Sequence, residues 1–289
     1  MLKKRLVAAL PTIDGIVVQS IGFNRYLPVG RLEIAVEYLN RWGIDEIAIL
    51  DLMATRTGKE PNYSGIRQCA RHAQVPIAVG GGIQKVEHIR KLLSSGADKV
   101  IINQGLITHT QLVEEAANIF GNQCLIGSMD IVKMGEQYYR YDYIKRQGAI
   151  SEDWLSRLED LTKRGIGEWL INSVHCDGQY SGYDLELVKR VIERVSVPVI
   201  PLGGYGAVKH LELLFEGTEA QVAAIGNKLH FVEHSVMTIK SQLAGRGDIR
   251  LDQSYDYLAH DFDACDRLKK LDDDVLRDML FERIEEEVI

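Results

Sequence analysis

Val75–Gly82, VPIAVGGG, and Val197–Gly204, VPVIPLGG, decide how this chain is read. Each is an apolar run too short for a helix, rich in Val and Ile, opened by a proline and closed by glycines where backbone must come close to something. Both predict buried parallel strands that end in a ligand-facing turn. The likeness continues past the glycines: Val86, His88, Ile89 and Leu92 recur as Val208, His210, Leu211 and Leu214, at an offset of about 122 residues. At the same offset Ile44-Asp45-Glu46, which opens IAILD, is answered by Ile166-Gly167-Glu168 before WLINS. A third echo, at an offset of about 119, sets Arg5–Pro11 (RLVAALP) against Cys124–Asp130 (CLIGSMD), so Pro11 and Asp130 occupy equivalent places. Duplicated β/α units that can close on themselves predict an α/β fold, a (β/α)8 TIM barrel built from two half-barrels.

The length agrees, since 289 residues with 46% hydrophobic content allow one barrel of about 250 residues plus a tail. We place the barrel at 1–243 and a charged C-terminal extension at 244–289. With 34 basic against 41 acidic residues and a formal charge of −7, the chain offers no general field for nucleic acid. Cys69, Cys124, Cys176 and Cys265 are widely spaced and lack CxxC pairing, and no apolar run reaches membrane-spanning length. A soluble, reducing, cytoplasmic setting is expected, with no membrane and no metal.

In chain order, the pattern predicts strands over 5–10, 46–51, 76–80, 99–103, 124–130, 168–173, 198–203 and 221–225. Helices are expected over 32–42, 63–73, 86–95, 110–120, 152–164, 185–195, 208–216 and 232–243. Asp14-Gly15 and IVVQSIGF read as a hairpin arm after the first strand, and 134–148 as a second hairpin dense in Tyr and Lys/Arg. Thr55–Tyr63 reads as a polar loop covering the barrel mouth, a lid candidate. In the tail, Val275, Leu276, Met279, Leu280 and Ile284 form one helical stripe, suited to folding on the barrel wall or to docking a partner.

Barrels carry their chemistry at the C-terminal ends of the strands. Gly81 and Gly82 with Asn103, and Gly203 and Gly204 with Gly226 and Asn227, form two symmetry-related groups whose amides suit phosphate or a comparable anion. Asp130 is the carboxylate closing the fifth strand, where burial would let it act as general acid or base. Asp51 is open to binding either substrate or loop backbone. His175 and Cys176 beside Asp177 lack the convergent spacing of a metal site, and no Ser-His-Asp set can be argued from the sequence. At the opposite end Arg5, Glu46, Lys99 and Glu168 begin four strands; inside a barrel they must pair, so an alternating-sign ring is expected, serving as plug or gate.

Together these residues resemble the cyclase subunit family of imidazole glycerol phosphate synthase, a barrel that takes ammonia from a partner glutaminase through its axis. The resemblance spans about 1–243 and rests most specifically on VGGGI (Val79–Ile83), GADKV (Gly96–Val100), FGNQC (Phe120–Cys124), Asp177-Gly178 and GYDLEL (Gly182–Leu187). It implies that Arg5, Glu46, Lys99 and Glu168 are the ammonia gate and that Asp98 faces the glutaminase. It also implies phosphate or substrate contacts at the two glycine groups and at Asp177 and Gly178, and no cofactor.

The departures lie at the mouth. The family's catalytic aspartate after the first strand is Pro11 here, its substrate-binding lysine is Gln19, its DRDGT loop is altered at His175 and Cys176, and Asn227 stands in a serine region. Proline has no ionisable group and no backbone donor, so it cannot replace an acid–base carboxylate. A barrel that keeps the ammonia path and changes its reactive end resembles the divergent branch associated with amidation of activated sugars in bacterial surface glycans. The implied partners are a glutaminase, a separate sugar amidotransferase, and a phosphorylated or nucleotide-activated small molecule. A true histidine-pathway cyclase, or a non-catalytic ammonia conduit, are the alternatives.

Overall fold

The computed structural model describes residues 3–150, 153–232, 234–245, 249–263 and 265–278. Its strands are β1 (Arg5–Ile13), β2 (Ile16–Ile21), β3 (Arg25–Arg31), β4 (Glu46–Asp51), β5 (Ile77–Gly80), β6 (Lys99–Ile102), β7 (Leu125–Met134), β8 (Gln137–Asp142), β9 (Gln147–Gly148), β10 (Glu168–Ser173), β11 (Val199–Leu202) and β12 (Val222–Ile225). Its helices are α1 (Leu32–Arg41), α2 (Tyr63–Ala70), α3 (Val86–Ser94), α4 (Gly105–Thr108), α5 (Gln111–Phe120), α6 (Trp154–Arg164), α7 (Leu185–Ile192), α8 (Val208–Gly217), α9 (Ser235–Ala244) and α10 (Asp273–Asp278).

Strands β12, β1, β4, β5, β6, β7, β10 and β11 pair in that order through parallel ladders, and β11 lies against β12. The result is an α/β fold whose curled, mostly parallel sheet has the strand–helix alternation of a TIM barrel. Side chains alternate along each strand, as a pleat buried on both faces requires. Val7, Ala9, Ala48, Ala78, Ile101, Ile126, Leu170 and Ile200 fill the interior, while Leu6, Leu10, Ile47, Ile77, Val100 and Trp169 pack outward under the helices. The helices begin where side-chain caps dictate: Asp153 accepts from the Ser156 amide at 3.2 Å, and Asp184 from the Leu187 amide at 3.0 Å.

The strands predicted over 5–10 and 124–130 are each longer, because hairpins continue their ladders. Thr12 and Ile13 pair with Val17 and Ile16 in β2, and Ile131–Met134 pair with β8. Pro11 and Asp130 therefore stand inside strands and not at their ends. Pro28 sits on β3, an edge strand of the arm, where no ladder partner misses its amide. Helices expected to reach Ala73 and Val195 stop at Ala70 and Ile192, and the last barrel helix starts at Ser235 instead of Val232. The short α4, which the sequence pattern did not indicate, turns the chain directly after Asn103.

Parts of the tail touch the barrel. Ile249 bridges to Lys4, Tyr257 is buried, and the Tyr255 hydroxyl donates to the Arg41 carbonyl. Further on, the Asp266 carboxylate accepts from the Val208 amide at 2.9 Å, capping α8. Of the expected tail stripe, Val275 is exposed in α10 and Leu276 is half-buried; Met279, Leu280 and Ile284 lie outside the described residues.

Candidate functional site

One cavity of about 150 Å³ opens at the C-terminal ends of the strands. The glycines Gly81, Gly82, Gly203, Gly204, Gly178 and Gly226 lie on its wall with Asn103, Asp130, Asp177 and Asn227. Every site residue expected from the sequence at this end of the barrel is thus in one place. The approach is tight because Gly81, Gly82, Gly203 and Gly204 hold positive φ values of 116°, 72°, 101° and 97°, which side chains adopt only with strain.

Asp130 is buried beneath the mouth, and one carboxylate oxygen accepts from Asn103 Nδ2 at 2.9 Å. Burial pushes this carboxyl up to about 7, with Asn103 opposing the rise and the nearby Asp177 charge adding to it. Such a group exchanges protons near neutrality, as a general acid or base must. Pro11 lies on the same wall and contributes no proton.

Several expected anion contacts are engaged within the chain. The Gly82 amide donates to Thr55 Oγ1 at 3.1 Å, fastening the lid candidate. Asn227 Oδ1 accepts from the Ser20 amide at 3.0 Å, and its Nδ2 donates to the Ser20 carbonyl. Asp177 accepts from Ser20 Oγ at 2.7 Å and from the Phe23 amide at 3.2 Å, and burial pushes its carboxyl up. The side chains of Asn227 and Asp177 therefore hold the β2–β3 arm over the cavity, while both residues stand on its wall, where substrate contact was expected of them. Asp51 takes the backbone alternative, accepting from the Met53 and Ala54 amides at 2.9 and 3.0 Å.

The sequence reading missed the roof and part of the wall. Phe23 and Tyr26 come from the arm, Tyr141 and Tyr143 from the second hairpin, and Tyr180 and Tyr205 from later loops. Phe23 meets Tyr141 edge to face with centroids 5.8 Å apart. Arg56 is the cation on this wall among the described residues, and its Nη2 donates to the Tyr143 carbonyl at 2.9 Å. Only the density of Tyr in 134–148 signalled any of this.

His175 lies 3.0 Å from Asp184 through Nε2, with Ser173 Oγ 3.3 Å from its Nδ1. These side chains are not on the cavity wall, and Asp184 also accepts from the Tyr138 hydroxyl and caps α7. Among the described residues no cluster of His, Cys, Asp or Glu has the makings of a metal centre.

At the opposite end the four expected charges close a ring. Arg5 reaches Glu46 at 2.9 Å and Glu168 at 2.7 Å; Lys99 reaches Glu46 at 3.1 Å and Glu168 at 3.3 Å. Each carboxylate thus sits between two cations, the arrangement that makes partly buried charge tolerable. Asp98, beside Lys99, accepts from the Ile77 amide at 2.8 Å and is exposed to solvent.

A family model described as histidine biosynthesis protein matches residues 5–235. A relative from Vibrio vulnificus (strain YJ016), named "Putative imidazole glycerol phosphate synthase subunit hisF2", is 40% identical over 92% of this chain and 98% of its own length. Proteins named imidazole glycerol phosphate synthase subunit HisF, from Clostridium botulinum (strain Langeland) and Anoxybacillus flavithermus (strain DSM 21510 / WK1), are each 34% identical over 86% of this chain and 98% of their own lengths. The match runs through the ring, Asp130 and the glycine turns, and on it this chain belongs to the histidine biosynthesis protein family.

Proposed function

We propose that this chain is the cyclase-type barrel subunit of a two-component glutamine amidotransferase. A partner glutaminase docks on the face that carries Asp98 and the charged ring, and its ammonia travels along the barrel axis to the cavity at Asp130. The observation that carries this reading is the closed ring of Arg5, Glu46, Lys99 and Glu168 at the far end of an apolar interior. Neutral ammonia crosses such an interior at far lower cost than an ion does. We also infer that the barrel arose by duplication of a half: Glu46–Asp51 and Glu168–Ser173 are strands at the same offset, and the glycine turns after β5 and β11 share their backbone form.

For the acceptor we infer an activated sugar, amidated in surface-polysaccharide synthesis, rather than the histidine-pathway intermediate. Support comes from Pro11 in the place equivalent to Asp130, from Gln19 in the arm, and from anion-binding groups already engaged by Thr55 and Ser20. The names of the relatives and the retained Asp130 favour the second reading, a histidine-biosynthesis cyclase. A barrel that only conducts ammonia is the third. The deciding experiment supplies the purified chain with ammonium salts and the histidine-pathway substrate. Loss of an acid–base group lowers turnover by about a hundred- to ten-thousand-fold, so we expect turnover depressed by that order, with partial recovery in Pro11→Asp. Rapid turnover by the unaltered chain reverses the ranking in favour of histidine biosynthesis.

A further inference from the structure

His88 and His210, which echo one another in the sequence, stand in the first turn of α3 and of α8, the helices that follow the two glycine turns. Each ring holds the backbone of its own turn. His210 Nδ1 accepts from the Gly206 amide at 3.1 Å. His88 Nδ1 lies 3.4 Å from the Gln84 amide, which can donate to it, and 3.1 Å from the Gly82 carbonyl. Gly82, and Tyr205 beside Gly206, line the cavity, while neither histidine does; both rings therefore stand behind its wall. Unlike Asn172 Oδ1 and Gln104 Oε1, buried atoms of the wall itself, His88 Nε2 is buried behind it without a hydrogen-bond partner.

A carboxylate from elsewhere in the chain acts on each ring. Glu60, in the lid candidate, places Oε1 3.6 Å from His88 Nε2, too far for a hydrogen bond but close enough for charge to act. Lys85 stands 4.0 Å from the same oxygen, and Oε2 is taken by the Tyr63 hydroxyl at 3.2 Å and Lys91 at 3.5 Å. The lid is seated closely, since a Cβ on Gly82 would stand 2.7 Å from the Lys59 carbonyl. In the second half the carboxylate is Asp266, in the tail between the bridged residues Phe262 and Leu268 and beyond the family match, which ends at residue 235. It accepts from the Val208 amide and acts on both His210 and Tyr205. Burial pulls the His210 imidazolium down; Asp266 opposes that fall and Lys209 adds to it.

In a neutral imidazole one nitrogen donates and the other accepts. With its proton on Nε2, His88 turns an N–H toward Glu60 and leaves Nδ1 to accept the Gln84 amide; with its proton on Nδ1, it donates to the Gly82 carbonyl and turns a lone pair on the carboxylate. Glu60 favours the first form, and so decides which backbone group of the turn the ring holds. The Gly206 amide demands the same form of His210, with Nδ1 unprotonated. We propose that His88 and His210 are positioning residues for the cavity wall, through which the lid and the tail set the two glycine turns by way of Glu60 and Asp266. The tail thus does for the second half what the lid does for the first, whichever acceptor the cavity takes.

The test is nitrogen-15 NMR of the histidine rings in the intact chain, joined to amide exchange read by mass spectrometry. In the neutral ring of the parent, His88 should carry its proton on Nε2; Glu60→Gln, which keeps the shape and removes the charge, should let the Nδ1-protonated form appear. Asp266→Asn keeps an acceptor for the Val208 amide, so the His210 titration midpoint should fall by about half a unit, a threefold change in proton affinity, and Asp266→Glu should restore it. Exchange at residues 82–84 should quicken in Glu60→Ala and stay unchanged in Asp266→Ala, and exchange at residues 205–207 should do the reverse. Should either alanine variant not fold, the ring signals of Glu60→Gln and Asp266→Asn decide. A His88 ring form indifferent to Glu60→Gln, or a His210 midpoint indifferent to Asp266→Asn, overturns the proposal, and so does exchange that quickens at both turns in either alanine variant.

Discussion

Asp130 carries a measurable liability. Its folded carboxyl lies near 7, above the roughly 4 of an unfolded aspartate, so between these values the folded state holds a proton that the unfolded chain has released. The stability tied to this group is full below about pH 4 and is lost as pH rises toward 7. Asp130→Asn keeps the shape and removes the charge. It should therefore gain on the order of a few kcal/mol over the parent at pH 8 and almost nothing at pH 4, read from urea unfolding at the two pH values. A gain independent of pH would show that Asp130 is not held protonated by burial. The residue was legible in the sequence because it closes a strand run that echoes Arg5–Pro11. Asn172 and Tyr143 were not, since one lies within an ordinary-looking strand and the other reaches the cavity from a hairpin far along the chain.

The β2–β3 arm shows how a loop can be fixed by groups distant in sequence. Asn227 supplies both an acceptor and a donor to the backbone of Ser20, and Asp177 binds Ser20 and Phe23. Asn227→Ala would leave a buried amide and carbonyl of Ser20 without partners, at about 1–3 kcal/mol. Amide exchange across Ile16–Arg31 should then quicken about ten- to a hundredfold while β4 and β10 keep their protection. Exchange rising equally everywhere would mean that the arm is not held locally. The Asp14-Gly15 turn and the alternation after it made the hairpin legible. Its clamp was not, because Asn227 read as a member of a repeated glycine group and only the folded chain brings it to Ser20. The same limit applies to helix ends such as Ala70 and Ile192, where tertiary packing overrides the run of helical residues.

Across the whole molecule the two ends of the barrel are chemically opposite, an ordered ring of charge at one and an aromatic-roofed, carboxylate-bearing cavity at the other. The eightfold alternation and the ring were readable, since strand-initial charges inside a barrel have few tolerable arrangements. Which of plug or gate the ring serves is a question of coupling between the ends. Lys99→Met leaves Glu46 and Glu168 sharing Arg5 alone, so the two carboxylates repel with less compensation and the ring loosens on the Lys99 side. Glutamine hydrolysis by a docked glutaminase should continue, while the ratio of aminated product to glutamate released falls severalfold. Product formed from excess ammonium, which enters at the mouth, should fall less. A folded variant whose ratio equals that of the parent would make the ring a structural plug, because a gate cannot lose one of its two cations and still pass nitrogen with the same efficiency.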